Sequence, residues 1–144
     1  DRLTAASKMG IPQVMVPGCL DMVNFGPLDT VPEKYKDRQL FSWAPDVTLM
    51  RTNKEENRIL GKTIAQKLNK SEAAVTVLLP LGGLSKIGGI DEVFYNPTVD
   101  QELFHSLKKY LNNNIQIIEV DSNINTEYFA KEAVKYLLEI IKKY

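Results

Sequence analysis

Four short stretches of the sequence concentrate residues able to hold an anion or a sugar. They are Gly18 with Asp21 and Asn24, Arg51 with Thr52, Gly82-Gly83 with Ser85 and Lys86, and Asp121. Glycine lets backbone N–H groups approach an anion closely, because no Cβ intervenes and φ can be positive. Beside it, Ser85 adds a hydroxyl and Lys86 a point charge. Arg51 could clamp a phosphate bidentately, and Asp21 and Asn24 could hold a sugar hydroxyl, a carboxylate or a hydrated metal. Asp121 ends an apolar run, where α/β proteins place an acidic ligand to ribose or a metal, so Asp21 or Asp121 is the candidate for Mg²⁺. Each residue has a plainer competing role. Arg51 could pair with Glu55 at i,i+4, Asp21 could cap a helix or close a turn, and two glycine pairs could simply make a mobile connection. Phosphate-loop patterns are absent, since Ser85 precedes Lys86 where G-x-x-x-x-G-K-[ST] needs the reverse order.

Other chemistries find less support. Cys19 follows an apolar run but has no histidine near it in sequence, so it reads as a small buried thiol rather than a nucleophile. The one imidazole, His105, sits off the apolar stripe of its helix and reads as a surface residue. One cysteine excludes an internal disulfide, suits a reducing cytoplasm, and leaves no Cys/His spacing for zinc. Lys+Arg and Asp+Glu balance at 18 each, so no net field attracts nucleic acid or anionic lipid. At 144 residues, 44% hydrophobic and 25% charged, the composition is that of one globular α/β domain over 1–144, with no membrane-length apolar run. The absence of an initial Met predicts a piece of something longer, with an upstream half missing.

The elements that must position these residues follow from periodicity. Residues 1–10 read as a helix with a glycine cap, and 11–16 as a short strand stopped by Pro17-Gly18. The stretch 19–46, with Pro27, Pro32 and Pro45, is too irregular for a firm helix or strand. It carries Leu20, Met22, Val23, Phe25, Phe41 and Trp43, which a disordered linker would lack, so it reads as ordered and functional. Residues 47–50 read as a strand leading into a helix with two possible capping boxes, Thr52/Glu55 and Asn53/Glu56. That helix buries Leu60, Ile64 and Leu68, with Ile59 alongside. The run 74–79 is a strand covered on both faces. A capping box at Thr98/Gln101 opens the next helix, which buries Leu103, Phe104, Leu107 and Leu111. Residues 115–120 form a strand. A helix over 126–143, capped from Asn123 or Asn125, turns Ala130, Ala133, Val134, Leu137 and Ile141 inward. Alternating strands and helices predict a Rossmann-like three-layer α/β sandwich with a mostly parallel sheet, whose carboxyl strand ends gather the four polar junctions on one edge.

Longer strings narrow the family. Leu20-Asp21-Met22-Val23-Asn24-Phe25-Gly26-Pro27, Val47-Thr48-Leu49-Met50-Arg51-Thr52 and Phe94-Tyr95-Asn96-Pro97 ahead of Asp100 resemble the ATP-binding domain family typified by the amino-terminal domain of the tomato mosaic virus resistance protein. The likeness covers nearly the whole chain and fits the second of that family's two α/β halves. It implies nucleotide binding near the junction of the halves, self-association, and site positions at Gly18, Asp21, Asn24, Arg51, Thr52, Gly83 and Ser85. The family pattern has His-Asn-Pro where this chain has Trp43-Ala44-Pro45, and a His where Asn123 stands. An activity that depends on those histidines would be absent here.

The resulting expectation is an ATP-binding, Mg²⁺-assisted α/β domain of a cytoplasmic homo-oligomer. Two rivals stand beside it: a hydrolase or transferase acting on a phosphorylated or carboxylated small molecule, and a dimerising interaction module without a small ligand.

Overall fold

In the computed structural model, which describes residues 2–143, every position of the strand Val75–Pro80 is buried. A run without polar alternation needs cover on both faces, and the fold supplies it. In chain order the elements are α1 (Ala5–Lys8), β1 (Gln13–Met15), β2 (Met22–Phe25), β3 (Leu40–Ala44), β4 (Val47–Arg51), α2 (Lys54–Leu68), β5 (Val75–Pro80), α3 (Pro97–Tyr110), β6 (Gln116–Val120) and α4 (Glu127–Lys143). Strands β1, β5 and β6 form a parallel sheet in that order, with Gln13 opposite Val75 and Leu78 opposite Ile118. Val75, Val77 and Leu79 pack with Ile64, Leu68, Leu103, Phe104 and Leu107 of α2 and α3. On the other face Leu78 and Val120 pack with Phe129 of α4. Burying each such side chain is worth about 1.5–3 kcal/mol. The expected three-layer α/β sandwich is therefore present. No helix among the described residues is long and apolar enough to cross a membrane.

One strand departs from expectation. The apolar run of β4 does not join the parallel sheet; it is the centre of a second, antiparallel sheet, β2-β4-β3. Met22 lies opposite Arg51 and Phe25 opposite Thr48, while Leu40 pairs with Met50 on the other side. A central antiparallel strand is as buried as a parallel one, so its periodicity does not tell the two apart. Its partners, β2 and β3, are half-exposed and lie in the Pro-interrupted stretch that gave no clear pattern. Beneath this sheet Leu49 packs with Ile87 and Phe94 from the long loop after β5, flanked by Met22, Phe41 and Val47.

Helix ends and faces differ in detail. The opening helix is limited to α1, with Gly10 at φ +63 just beyond it; Asp1, included in the expected helix, lies outside the described residues. Of the two boxes expected at α2, Asn53/Glu56 forms with both halves made. Asn96, not Thr98, caps α3, with Pro97 in its first turn. Thr126 caps α4, its Oγ1 accepting from the Phe129 N–H at 3.1 Å, in place of the expected Asn123 or Asn125. Because α4 is apolar on two stripes, Phe129 packs on the sheet and Ile140 is buried, and Ala130, Val134 and Ile141 face outward instead of inward. Ile59 of α2 is likewise exposed.

Candidate functional site

The chain leaves β1 through Pro17-Gly18 into Cys19, whose φ of +55 bends it sharply. The Cys19 N–H donates to the Leu84 carbonyl at 2.8 Å, which ties this turn to the loop after β5. Asp21 is thereby driven under that loop and is fully buried. The Ser85 hydroxyl donates to Asp21 Oδ2 at 2.6 Å, and the Gly88 N–H donates to Ser85 Oγ at 3.0 Å. A Cβ on Gly88 would stand 2.3 Å from Asp21 Oδ2, so the carboxylate needs glycine there. The second carboxylate oxygen, Oδ1, is buried and has no hydrogen-bond partner among the described residues.

Arg51 meets protein, not open space. Its Nε donates to the Phe94 carbonyl at 2.8 Å, Nη2 to Asp100 Oδ1 at 2.7 Å and to the Asn96 carbonyl at 3.3 Å, and Nη1 to the Asp21 carbonyl at 3.3 Å. With 4% of its side chain exposed and every guanidinium nitrogen engaged, Arg51 staples the small sheet to the loop before α3 and presents no fork to a phosphate. Its ion partner is Asp100, whose carboxyl burial pushes up to about 6 against the pull of Arg51. The alternative partner, Glu55, pairs instead with Arg58 at 3.2 Å. Thr52 is equally committed, its Oγ1 donating to the Leu20 carbonyl at 2.9 Å and accepting from Asn57 Nδ2 at 3.0 Å.

The glycines are closely packed against the loop before α4. A Cβ on Gly82 would lie 2.6 Å from the Asn123 backbone nitrogen. Gly83, at φ +132, would place one 2.6 Å from Asn123 Nδ2. Asn123 Nδ2 donates to the Ser85 carbonyl at 2.8 Å, which presses the loop after β5 against the loop before α4. Gly18 abuts Ile124 of that second loop. These positions are explained by close packing rather than by access for a ligand. Asp121 is exposed at the end of β6.

Above Ser85 opens a groove of about 450 Å³ at the carboxyl ends of β1 and β5. Met22, Trp43, Val47, Leu49 and Ile87 form its apolar wall, and Asn24, Lys86 and Asn125 its polar groups, with Ser85 and Cys19 also on the lining. Trp43 is 57% exposed despite its size. Of the residues singled out from sequence, Asn24, Ser85 and Lys86 line this groove and Asp21 lies directly beneath Ser85. Gly18, Gly82, Gly83, Arg51, Thr52 and Asp121 do not line it. Trp43 and the apolar wall were missed, because only the antiparallel sheet brings them there; a tryptophan in a Pro-rich, functional-looking stretch was the available signal. Cys19 is exposed, not buried as expected, because its left-handed backbone turns it out of the core. Partial desolvation and then the nearby Asp21 carboxylate push its thiol pKa up, which keeps it a neutral thiol. A second hollow of about 460 Å³ lies between α2 and α3, where the charged pairs Arg58–Glu102 and Arg58–Glu55 meet the exposed His105. It lies on the outer helical surface, and its best-placed cation is already paired.

Comparison with known proteins places the chain in a family. Residues 1–141 match the family model described as "Uncharacterised protein family (UPF0261) C-terminal domain". A UPF0261 protein of Clostridium tetani is 49% identical over 144 residues, covering 99% of this chain and 36% of that protein. The ToMV resistance protein Tm-1(GCR237) of Solanum lycopersicum is 38% identical over 99% of this chain and 19% of its own length. A UPF0261 protein of Rhizobium meliloti is 38% identical over 136 residues, 93% of this chain and 34% of that protein. The chain thus spans about a third of these bacterial relatives and about a fifth of the tomato protein. With nearly its whole length matched, the chain belongs to the UPF0261 family and corresponds to its C-terminal domain.

Proposed function

We propose that the groove above Ser85 binds a nucleotide, ATP being the expected class. The observation that carries this reading is an exposed tryptophan and a lysine on the lining of one groove beyond the carboxyl end of β5. A purine ring stacks on Trp43 and covers Met22, Val47 and Leu49, worth about 1–3 kcal/mol for a base on an aromatic face. The phosphates run towards Lys86, and Asn24 and Asn125 hydrogen-bond the sugar. Among the described residues no cluster of three or more His, Cys, Asp or Glu could hold a metal. Mg²⁺ arrives with the triphosphate, as is usual for this ion. Arg51 and Asp21 support the site from below without touching the nucleotide.

ATP titrated into the full-length protein in the presence of Mg²⁺ is expected to quench tryptophan emission saturably. Trp43→Phe removes the quenched component, and Lys86→Ala weakens binding about tenfold or more, the loss of one charge-assisted contact. Emission that ignores ATP, together with no heat of binding by calorimetry, overturns the reading.

A further inference from the structure

The groove also contains a hydrogen-bonded pair that nucleotide binding does not use. Ser85 Oγ accepts the Gly88 N–H, so its own proton is directed at Asp21 Oδ2, 2.6 Å away. A serine that merely closes a turn needs the first of these bonds, not the second. The fold nonetheless keeps a fully buried carboxylate with one oxygen unpartnered among the described residues. Leaving such a group half-satisfied costs free energy. It also excludes any residue but glycine at position 88. A buried carboxylate accepting the proton of a serine that lines a groove is the arrangement of a base and its nucleophile.

We propose that Ser85 is a nucleophile and Asp21 its general base, giving the groove hydrolytic activity towards small carboxylic esters. Ser85 Oγ bonds to the ester carbonyl carbon as its proton passes to Asp21 Oδ2. The tetrahedral adduct collapses with cleavage of the carbon–oxygen bond to the alcohol, which leaves carrying the proton from Asp21. Water then attacks acyl-Ser85, gives its proton to Asp21, and releases the carboxylic acid as Ser85 regains a proton. The sum is ester plus water giving acid plus alcohol. Lys86, on the same lining, places a cation where negative charge develops on the carbonyl oxygen. The apolar wall at Trp43 favours an ester with a flat, apolar part. Cys19, held as a neutral thiol, is not the nucleophile. This proposal stands without the nucleotide reading, since it needs only Asp21, Ser85 and access to the groove.

The test is to treat the full-length protein with a fluorophosphonate and map the adduct by mass spectrometry. One adduct on Ser85 is expected, together with p-nitrophenyl acetate hydrolysis. Both are lost in Ser85→Ala and in Ser85→Gly, and the hydrolysis rate falls about 100-fold in Asp21→Asn, the scale of a lost general base. Circular dichroism checks that each variant is folded. Failure to label the unaltered protein, or an adduct anywhere but Ser85, overturns the proposal whether or not the variants fold. ATP that slows labelling supports both readings; labelling indifferent to saturating ATP upholds the nucleophile and counts against the nucleotide.

Discussion

Strands β5 and β4 are both central, both buried and both flanked by two partners, yet they are held in different ways. Around β5 the two crossover helices and α4 close an apolar sandwich in which Val77, Leu78 and Leu79 are wholly buried. Around β4 the apolar cluster is small, and Arg51 at its end supplies the bonds that tie the sheet to the loop before α3. Apolar burial tolerates small shifts and adds up by area. A buried guanidinium works only if all its partners are present. The candidate groove lies against the small sheet, which gives it Met22, Val47 and Leu49, and is completed by the loops that carry Cys19, Ser85, Lys86, Ile87 and Asn125.

The largest expected effect comes from removing the staple. Arg51→Ala leaves Asp100 buried without its cation and should cost about 3–5 kcal/mol, read as a lower urea midpoint; a loss under about 1 kcal/mol would dissolve the distinction between the two sheets. A smaller effect tests the apolar half by sterics. In Gly61→Ala the added methyl would stand 2.6 Å from Ser106 Cβ and 2.8 Å from the Leu103 carbonyl. Overpacking of about 1–3 kcal/mol then outweighs the roughly 0.5–1 kcal/mol that alanine gains in a helix interior. A stabilised variant would mean that α2 and α3 separate easily.

A third effect is a slope with pH. Asp100 has its folded-state pKa raised to about 6, so its contribution is full below the ordinary carboxylate range and is lost as pH rises through about 6. Glu56, held down by Arg38 through a bond of 2.8 Å, works in the opposite sense, its contribution fading as pH falls below the ordinary range. Thermal melts between pH 3 and 7 should therefore lose a falling component in Asp100→Asn and, at the acid end, a rising one in Glu56→Gln. Unchanged profiles would remove electrostatics from the account of the small sheet.

What the sequence disclosed follows the same division. The order α2-β5-α3-β6-α4 could be read from runs such as Val75–Leu79 and stripes such as Leu103, Phe104 and Leu107, because each element's pattern is local. The antiparallel sheet could not, because Met22–Phe25 becomes a strand only by pairing with β4 some 30 residues on (Met22 with Arg51), and the register of the short hairpin Leu40–Ala44 with β4 shifts between Ser42 and Ala44. Asp21, Asn24, Ser85 and Lys86 were found as polar residues next to apolar runs. The role of Arg51 was misjudged for the same reason of distance, since Phe94, Asn96 and Asp100 lie 43–49 residues further on. Glycine pairs in a loop look alike in sequence whether they admit a ligand or, as here, a neighbouring segment of the chain.

The loop between β5 and α3 belongs to both hydrophobic clusters, with Leu84 in the first and Ile87 and Phe94 in the second. A small sheet whose interior is furnished by a distant segment cannot be a module in its own right. Residues 20–51 could not be grafted elsewhere, or exchanged between relatives, without carrying residues 84–94 with them. Unfolding should accordingly be a single cooperative event, and substitutions accepted on one side of this contact should be matched by changes on the other.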